Sequence, residues 1–435
     1  MLTLYKFFCL INYPLWVIAL HLRKLKGKEH KLRFIEKLGY YKKTSPKNEV
    51  IWINSLGLGE TLSLTYFLEQ LSKKFPDKTL LVTSSTLQSQ IAFENIPLRK
   101  NIVHQYAPID NYSALKRFFN HWDPTMALFS ELDIWPLRVS EVKKRKIPLL
   151  LINSRMNERK KRARKWLGTS FSETIKVFDH IFLQDESSRL HFIHFGVDER
   201  KITIHGPLKV AGTIFPNTKF MEKRFRTLLK GKLIWTAASL HESEEIEILE
   251  AYKMAKRDVP NLVLIIIPRS IELSNNTKRK SLQYSNLTFH RVEEEDMPNR
   301  KTDIIVVGRV GELGLWYKLA FISFIGNSLD FKKIKTGKNP YEALQANSVV
   351  IHGPKMQEPG YEKLSALGIS DIVLDRYDIS KAIKKYSDFN IRLTKIKNGS
   401  DLLIKNKGVI KLVIDDVESW YKKKGGRRSP FSQLL

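Results

Sequence analysis

A recurrence constrains this chain more than any other feature. From about Glu49 onward, short apolar runs end in polar or glycine-bearing turns and pass into helical patterns. VIWIN (50–54) leads through SLGLGE into TLSLTYFLEQLSKKF, which reads as one amphipathic helix. TLLVTSS (79–85), MALFSE (126–131), IPLLLINS (147–154), HIFLQD (180–185) and KITIHG (201–206) repeat the theme. Runs this apolar on both faces fit buried parallel strands, and their alternation with helices predicts a doubly wound α/β domain.

KVAGTIFPNTKF (209–220) breaks the pattern with Gly and Pro, so a linker is expected over 209–231. The repeats then resume: KLIWTAAS (232–239), LVLIIIP (262–268), DIIVVG (303–308), AFISFIG (320–326) and SVVIHGP (348–354). The expected organisation is a segment 1–35, a Rossmann-like domain 36–208, the linker, a second Rossmann-like domain 232–407, and a C-terminal helix with a basic tail over 408–435. Two such domains in tandem predict a cleft, with ligands at the C-terminal ends of the strands.

The chain has 435 residues, 43% of them hydrophobic, which supports real cores and excludes disordered or collagen-like classes. Its one cysteine, Cys9, excludes a disulfide framework and cysteine-based zinc sites. The net charge is +29, from 74 Lys+Arg against 45 Asp+Glu, and predicts a polyanionic partner. Residues 2–22 (LTLYKFFCLINYPLWVIALHL) are almost continuously apolar and are followed by RKLKGKEHKLR. A cleaved leader would carry its charge before the apolar run. The order seen here predicts an uncleaved membrane anchor, spanning or interfacial, with the rest of the chain on the cytoplasmic side. A buried N-terminal helix is the competing reading.

The candidate chemistry lies at the predicted strand ends. Gly57-Leu58-Gly59-Glu60 opens a helix but has Leu62 where a dinucleotide fingerprint needs its third glycine. Glu60 is a candidate general base, against an ordinary first-turn glutamate. Glu131 and Asp133 follow a strand directly, against loop carboxylates paired with cations. Pro268-Arg269 closes the most hydrophobic strand, where Arg suits a phosphate. Asn339-Pro340-Tyr341-Glu342 predicts an Asn339-capped helix whose N-terminus suits a phosphate, with Glu342 placed for ribose hydroxyls or a capping box. The basic stretch Arg155 to Lys165 lacks interleaved aromatics, and no nucleic-acid motif is present, so nucleic acid is not an expected partner. His241-Glu242 lacks a second His, and no metal or cofactor is expected.

These motifs, in this order, resemble one family: the 3-deoxy-D-manno-octulosonic acid (Kdo) transferases acting on lipid A precursor. The resemblance runs from Met1 to about Asp375. It rests on Gly27-Lys28-Glu29, Arg33, Glu36 and Leu38-Gly39, then WIN–GE at 52–60, HQYAPID at 104–110, ELDIWP at 131–136 and INSR at 152–155. ASLHESEE at 238–245, IPR at 267–269, GELGLWY at 311–317, GNSL at 326–329 and GKNPYEAL at 337–344 complete it. It implies the GT-B fold, with an acceptor-binding first domain, a nucleotide-sugar-binding second domain, and an anchor on the cytoplasmic side of a bacterial inner membrane. It implies an inverting glycosyltransferase moving Kdo from CMP-Kdo to lipid A precursor in lipopolysaccharide biosynthesis. Glu60 matches the base, Glu131 and Lys209 match transition-state stabilisers, and Pro268, Arg269, Val310, Gly311, Glu312, Asn339, Pro340, Tyr341 and Glu342 match the CMP-binding segments. The chain departs from the family pattern at Asn54, Ser55, Gly57, Asp133, Pro207, Ser270 and Lys338. A GT-B transferase with another nucleotide sugar, or a membrane-tethered basic adaptor or RNA-binding protein, are the competing functions.

Overall fold

The structure, a computed structural model, describes all residues except 1, 43, 56, 166–168, 270–288, 292–296, 300, 309–310, 332–336, 357–359 and 426–435. The chain forms two compact units. The first comprises residues up to Leu208 together with those from Gly408 on; the second runs from Lys209 to Lys407. Residues 209–231, expected as a linker, thus count with the second unit. Within them the helix Lys219–Leu228 buries Phe225 against the Trp316 ring, centroids 4.8 Å apart. The C-terminal helix Phe389–Trp420 begins in the second unit and ends in the first.

Among the described residues each unit holds one seven-stranded sheet, parallel throughout. In the first, β1 (Val50–Asn54), β2 (Thr79–Ser84), β3 (Ile102–Tyr106), β4 (Pro124–Ser130), β5 (Leu149–Ser154), β6 (His180–Leu183) and β7 (Ile202–Ile204) stand in the order β3-β2-β1-β4-β5-β6-β7. In the second, β8 (Leu233–Leu240), β9 (Leu262–Pro268), β10 (Phe289–Arg291), β11 (Ile304–Val306), β12 (Ile322–Ile325), β13 (Val349–His352) and β14 (Ser370–Ile372) stand in the order β10-β11-β9-β8-β12-β13-β14. Both orders reverse beside the first strand of the unit, which is the doubly wound Rossmann pattern. The central strands β1, β2, β5 and β9 are buried at every position, because helices cover both faces.

The predicted helix after β1 is two helices, Leu58–Ser63 and Thr65–Lys74, broken at Leu64. The N-terminal apolar run is also two helices, Leu2–Ile11 and Tyr13–Leu25, with Pro14 in the first turn of the second. No helix among the described residues is long and apolar enough to cross a membrane. The pair is built into the first unit. Tyr5 Oη–H donates to Asp110 (2.6 Å), Asn111 Nδ2 donates to Cys9 O (2.6 Å), and Leu20 packs with Phe34, Leu38 and Ile109. The motif behind the pair secures it. Arg23 and Lys37 meet the buried Glu29 at 2.6 and 2.5 Å, and Arg33 donates to Glu36 at 2.8 Å.

Candidate active site

The sequence-predicted residues of the first unit gather at the C-terminal edge of its sheet. Glu60 follows the end of β1, and Glu131 follows the neighbouring strand β4. Gly57 is extended, and its N–H donates to Glu60 Oε2 (3.1 Å), which orients the half-buried carboxylate at the helix start. Glu131 sits in the left-handed region (φ 60°), which an L-residue occupies only when its surroundings impose it. Here they do. Its N–H donates to Ile152 O (3.1 Å), and its O accepts Ser154 Oγ–H (2.8 Å). Its Oε1 accepts Asn153 Nδ2 (3.1 Å) and Gln184 Nε2 (2.8 Å), while Lys160 Nζ stands 3.9 Å from Oε2. The ends of β4, β5 and β6 therefore hold one carboxylate in one orientation.

Asp133 has a different position. It is buried, accepting Asn54 Nδ2 (2.8 Å) and Trp135 Nε1 (2.7 Å). Two departures from the family pattern, Asn54 and Asp133, thus share one hydrogen bond. Lys160 belongs to the predicted basic stretch, which forms the helix Glu158–Lys165 with no buried residue.

In the second unit Arg269 is exposed at the end of β9, its N–H donating to Leu240 O (3.0 Å). Gly311, at φ 93°, precedes Glu312, the N-cap of the helix Leu313–Leu319. Val310 and Ser270 lie outside the described residues. The 339–342 segment differs from expectation. Pro340, not Asn339, is the N-cap, and the helix is only Tyr341–Gln345. Asn339 still caps it locally, its Oδ1 accepting Tyr341 N–H (3.1 Å) while its Nδ2 donates to Glu342 Oε1 (3.1 Å). That N–H is consequently already bonded. Lys209 stands with this group, its Nζ 4.2 Å from the Tyr361 ring centroid, and Tyr361 Oη–H reaches Asn339 Oδ1 (3.4 Å). Sequence reasoning missed Tyr361, which no strand end or motif marks. It also missed Glu244, whose buried carboxylate accepts N–H groups from the GNSL loop. The strained Ser239 (φ 59°) and Asn327 (φ 58°) at the ends of β8 and β12 repeat the signature of Glu131 and Asn153. Among the described residues no group of three His, Cys, Asp or Glu could hold a metal ion.

Burial pushes the Glu342 carboxyl up to about 7, while the Asn339 amide pulls it back. A carboxyl raised above its usual 4.5 makes no penalty below that pH and lowers stability as pH rises towards 7. The full penalty, about 3 kcal/mol, applies above that. Glu342→Gln is therefore expected to raise the melting temperature at pH 8 and leave it unchanged at pH 4. Equal shifts at both pH values, in a thermal scan, would contradict this.

Two doubly wound, Rossmann-like domains in tandem are the architecture of the GT-B class. A solved UDP-N-acetylglucosamine 2-epimerase has the same fold, with a TM-score of 0.57 at 11% identity over 87% of this chain and 97% of that one. Residues 32–211 match the family model described as 3-deoxy-D-manno-octulosonic-acid transferase (kdotransferase). The 3-deoxy-D-manno-octulosonic acid transferase of Rickettsia bellii is 31% identical, covering 82% of this chain and 84% of its own length. That of Haemophilus influenzae is 26% identical over 93% and 95%. The chain belongs to the 3-deoxy-D-manno-octulosonic acid transferase family and is a glycosyltransferase.

Proposed function

We propose that this glycosyltransferase moves Kdo from CMP-Kdo to the lipid A precursor, with inversion, in lipopolysaccharide biosynthesis. The observation that carries the reading is Glu60, held by the Gly57 N–H at the C-terminal edge of the first sheet, where the family resemblance puts the base. The attacking acceptor hydroxyl must lose its proton as it bonds to the anomeric carbon, and Glu60 takes it. The second unit holds CMP. Arg269 and Lys209 stabilise the phosphate charge that grows as CMP leaves, a role side-chain cations fill without a metal. Glu131, fixed by Asn153 and Gln184, stabilises the transition state. Incubation with CMP-Kdo and tetraacylated lipid A precursor, read by mass, tests the reading. An acceptor unchanged in mass would defeat it.

The same reading puts the protein on the cytoplasmic face of the inner membrane, held in the interface. Phe8 and Ile11, then Leu15, Ile18, Leu22 and Leu25, are exposed at helical spacing. Arg23, Lys26, Lys28 and Lys31 are exposed beside them, suited to anionic lipid. Because Leu20 is part of the core, truncation would open the domain, and substitution on the outer face is the cleaner test. Ile18→Glu with Leu22→Glu removes roughly 3 kcal/mol of apolar burial, at the low end for two such side chains. It should lower co-flotation with anionic vesicles at least tenfold, and high salt should remove the remainder. Undiminished flotation of the double variant would show that this face does not meet lipid.

A further inference from the structure

Beneath the strand ends of the first unit lies a buried polar cluster centred on Arg138, which the proposed chemistry does not use. Arg138 Nη1 donates to Asn54 Oδ1 (3.1 Å) and lies 3.4 Å from Asp133 Oδ2, and Nη2 donates to Pro108 O (2.6 Å). Its own N–H and that of Leu137 donate to Asp110 (2.7 and 3.0 Å), which caps the helix Pro136–Lys144 from outside. Asn54 ends β1, Pro108 and Asp110 follow β3, and Asp133 follows β4, so one guanidinium joins three strand ends. Arg138, Asn54, Asp110 and Asp133 are all buried.

We propose that Arg138 is a positioning residue for sugar transfer: by locking the ends of β1, β3 and β4 together it fixes the segments that carry Glu60 and Glu131. The proposal rests on the glycosyltransferase reading above. The path to Glu60 is short. Ser55, next to Asn54, donates from Oγ to Thr83 O (3.2 Å) and meets Thr61 Oγ1 at 3.0 Å, and Thr61 adjoins Glu60. Glu131 stands two residues before Asp133.

Stability alone is a poor reason for such a cluster. A buried ion pair loses much of its Coulomb gain to desolvation, and an apolar side chain of similar volume often serves as well. Arg138 Nε moreover has no hydrogen-bond partner among the described residues. What the planar fork supplies is direction, since it meets several acceptors in fixed geometry. A small displacement of a catalytic group can lower turnover by up to about 100-fold. The helix Leu2–Ile11 touches the same cluster through Tyr5 and Asp110.

The test uses Arg138→Lys, which keeps the charge without the fork, and Asp133→Asn, which keeps the shape without the charge. Each is expected to lower kcat for Kdo transfer at least about tenfold, with the KM for CMP-Kdo within about twofold of wild type. The double variant should be no worse than either alone, because both break one clamp. In a Glu60→Gln background the Arg138→Lys loss should shrink to the part that acts through Glu131. Amide exchange over 57–63 and 131–138 should rise in Arg138→Lys, with no change over the second unit. A wild-type kcat in folded Arg138→Lys would overturn the proposal, as would a loss that persists undiminished in Glu60→Gln. Unchanged exchange at both segments would overturn it whatever sugar is transferred. If the wild-type protein transfers no Kdo, the function proposed above falls, while exchange still decides the clamp.

Discussion

Glu60→Gln is expected to lower turnover at least about 100-fold while leaving CMP binding near wild type. The substitution keeps the side-chain length and an oxygen that can still accept the Gly57 N–H, now bonded at 3.1 Å. It removes only the capacity to take a proton. Stability should change little, since a glutamate in a first helical turn contributes at most about 1 kcal/mol through the dipole. CMP affinity should hold because Arg269, Glu312 and Asn339 belong to the second unit and Glu60 to the first. Turnover at saturating donor and acceptor, with calorimetric CMP binding in parallel, separates the alternatives. A structural Glu60 would lose melting temperature and turnover together. Turnover at the wild-type level would remove Glu60 as the base.

The fold was legible because parallel strands covered on both faces leave a strong apolar signal. VIWIN and LVLIIIP coincide with β1 and β9 residue for residue. Weak signals belong to strands that are polar or at an edge. β3 contains His104 and Gln105, both buried, with His104 bonded to Ser84 (2.8 Å), so polar residues stand inside the sheet and its sequence does not look like a strand. β14 is three residues at a sheet edge, with Asp371 partly exposed and Ile372 exposed, and carries no run to detect. The N-terminal segment has the composition of a membrane span, yet Pro14 starts a new helix, and one side of the pair packs on Ile109 and Ala114. Composition reports how apolar a segment is, not which side meets protein.

The candidate site was legible where chemistry coincides with a strand end, as at Glu60, Glu131 and Arg269. Partners distant in sequence were not. Arg138 reads as an ordinary helix residue, and only the fold brings it to Asn54, 84 positions away. Asn54 and Asp133 look like two separate departures from the family pattern, while in space each is the other's partner. The left-handed backbone at Glu131 has no sequence signature, because glutamate, unlike glycine or asparagine, does not favour it.

Glu244→Ala is expected to be the most damaging single substitution in the second unit. The carboxylate is fully buried and accepts four backbone N–H groups: His241 (2.9 Å) and Asn327 (2.6 Å) on Oε2, Ser328 (2.8 Å) and Leu329 (3.0 Å) on Oε1. It therefore pins the loop after β12 to the helix start after β8 and holds Asn327 in its strained conformation. Alanine leaves four donors without that partner, three of them buried and the His241 N–H partly so. At roughly 1–3 kcal/mol for each unsatisfied group the loss is at least about 4 kcal/mol, even if the loop relaxes. A domain of this size should then melt about 8–16 °C lower. Gly326, next to Asn327, limits relaxation, since a Cβ there would lie 2.8 Å from Ala238 O. Glu244→Gln should fall between, because its amide nitrogen faces two of the N–H donors and can accept from neither. Thermal melts of the full chain, with exchange protection over 326–329, test the order wild type, Gln, Ala. Melting of Glu244→Ala within two degrees or so of wild type would show that water replaces the carboxylate at little cost.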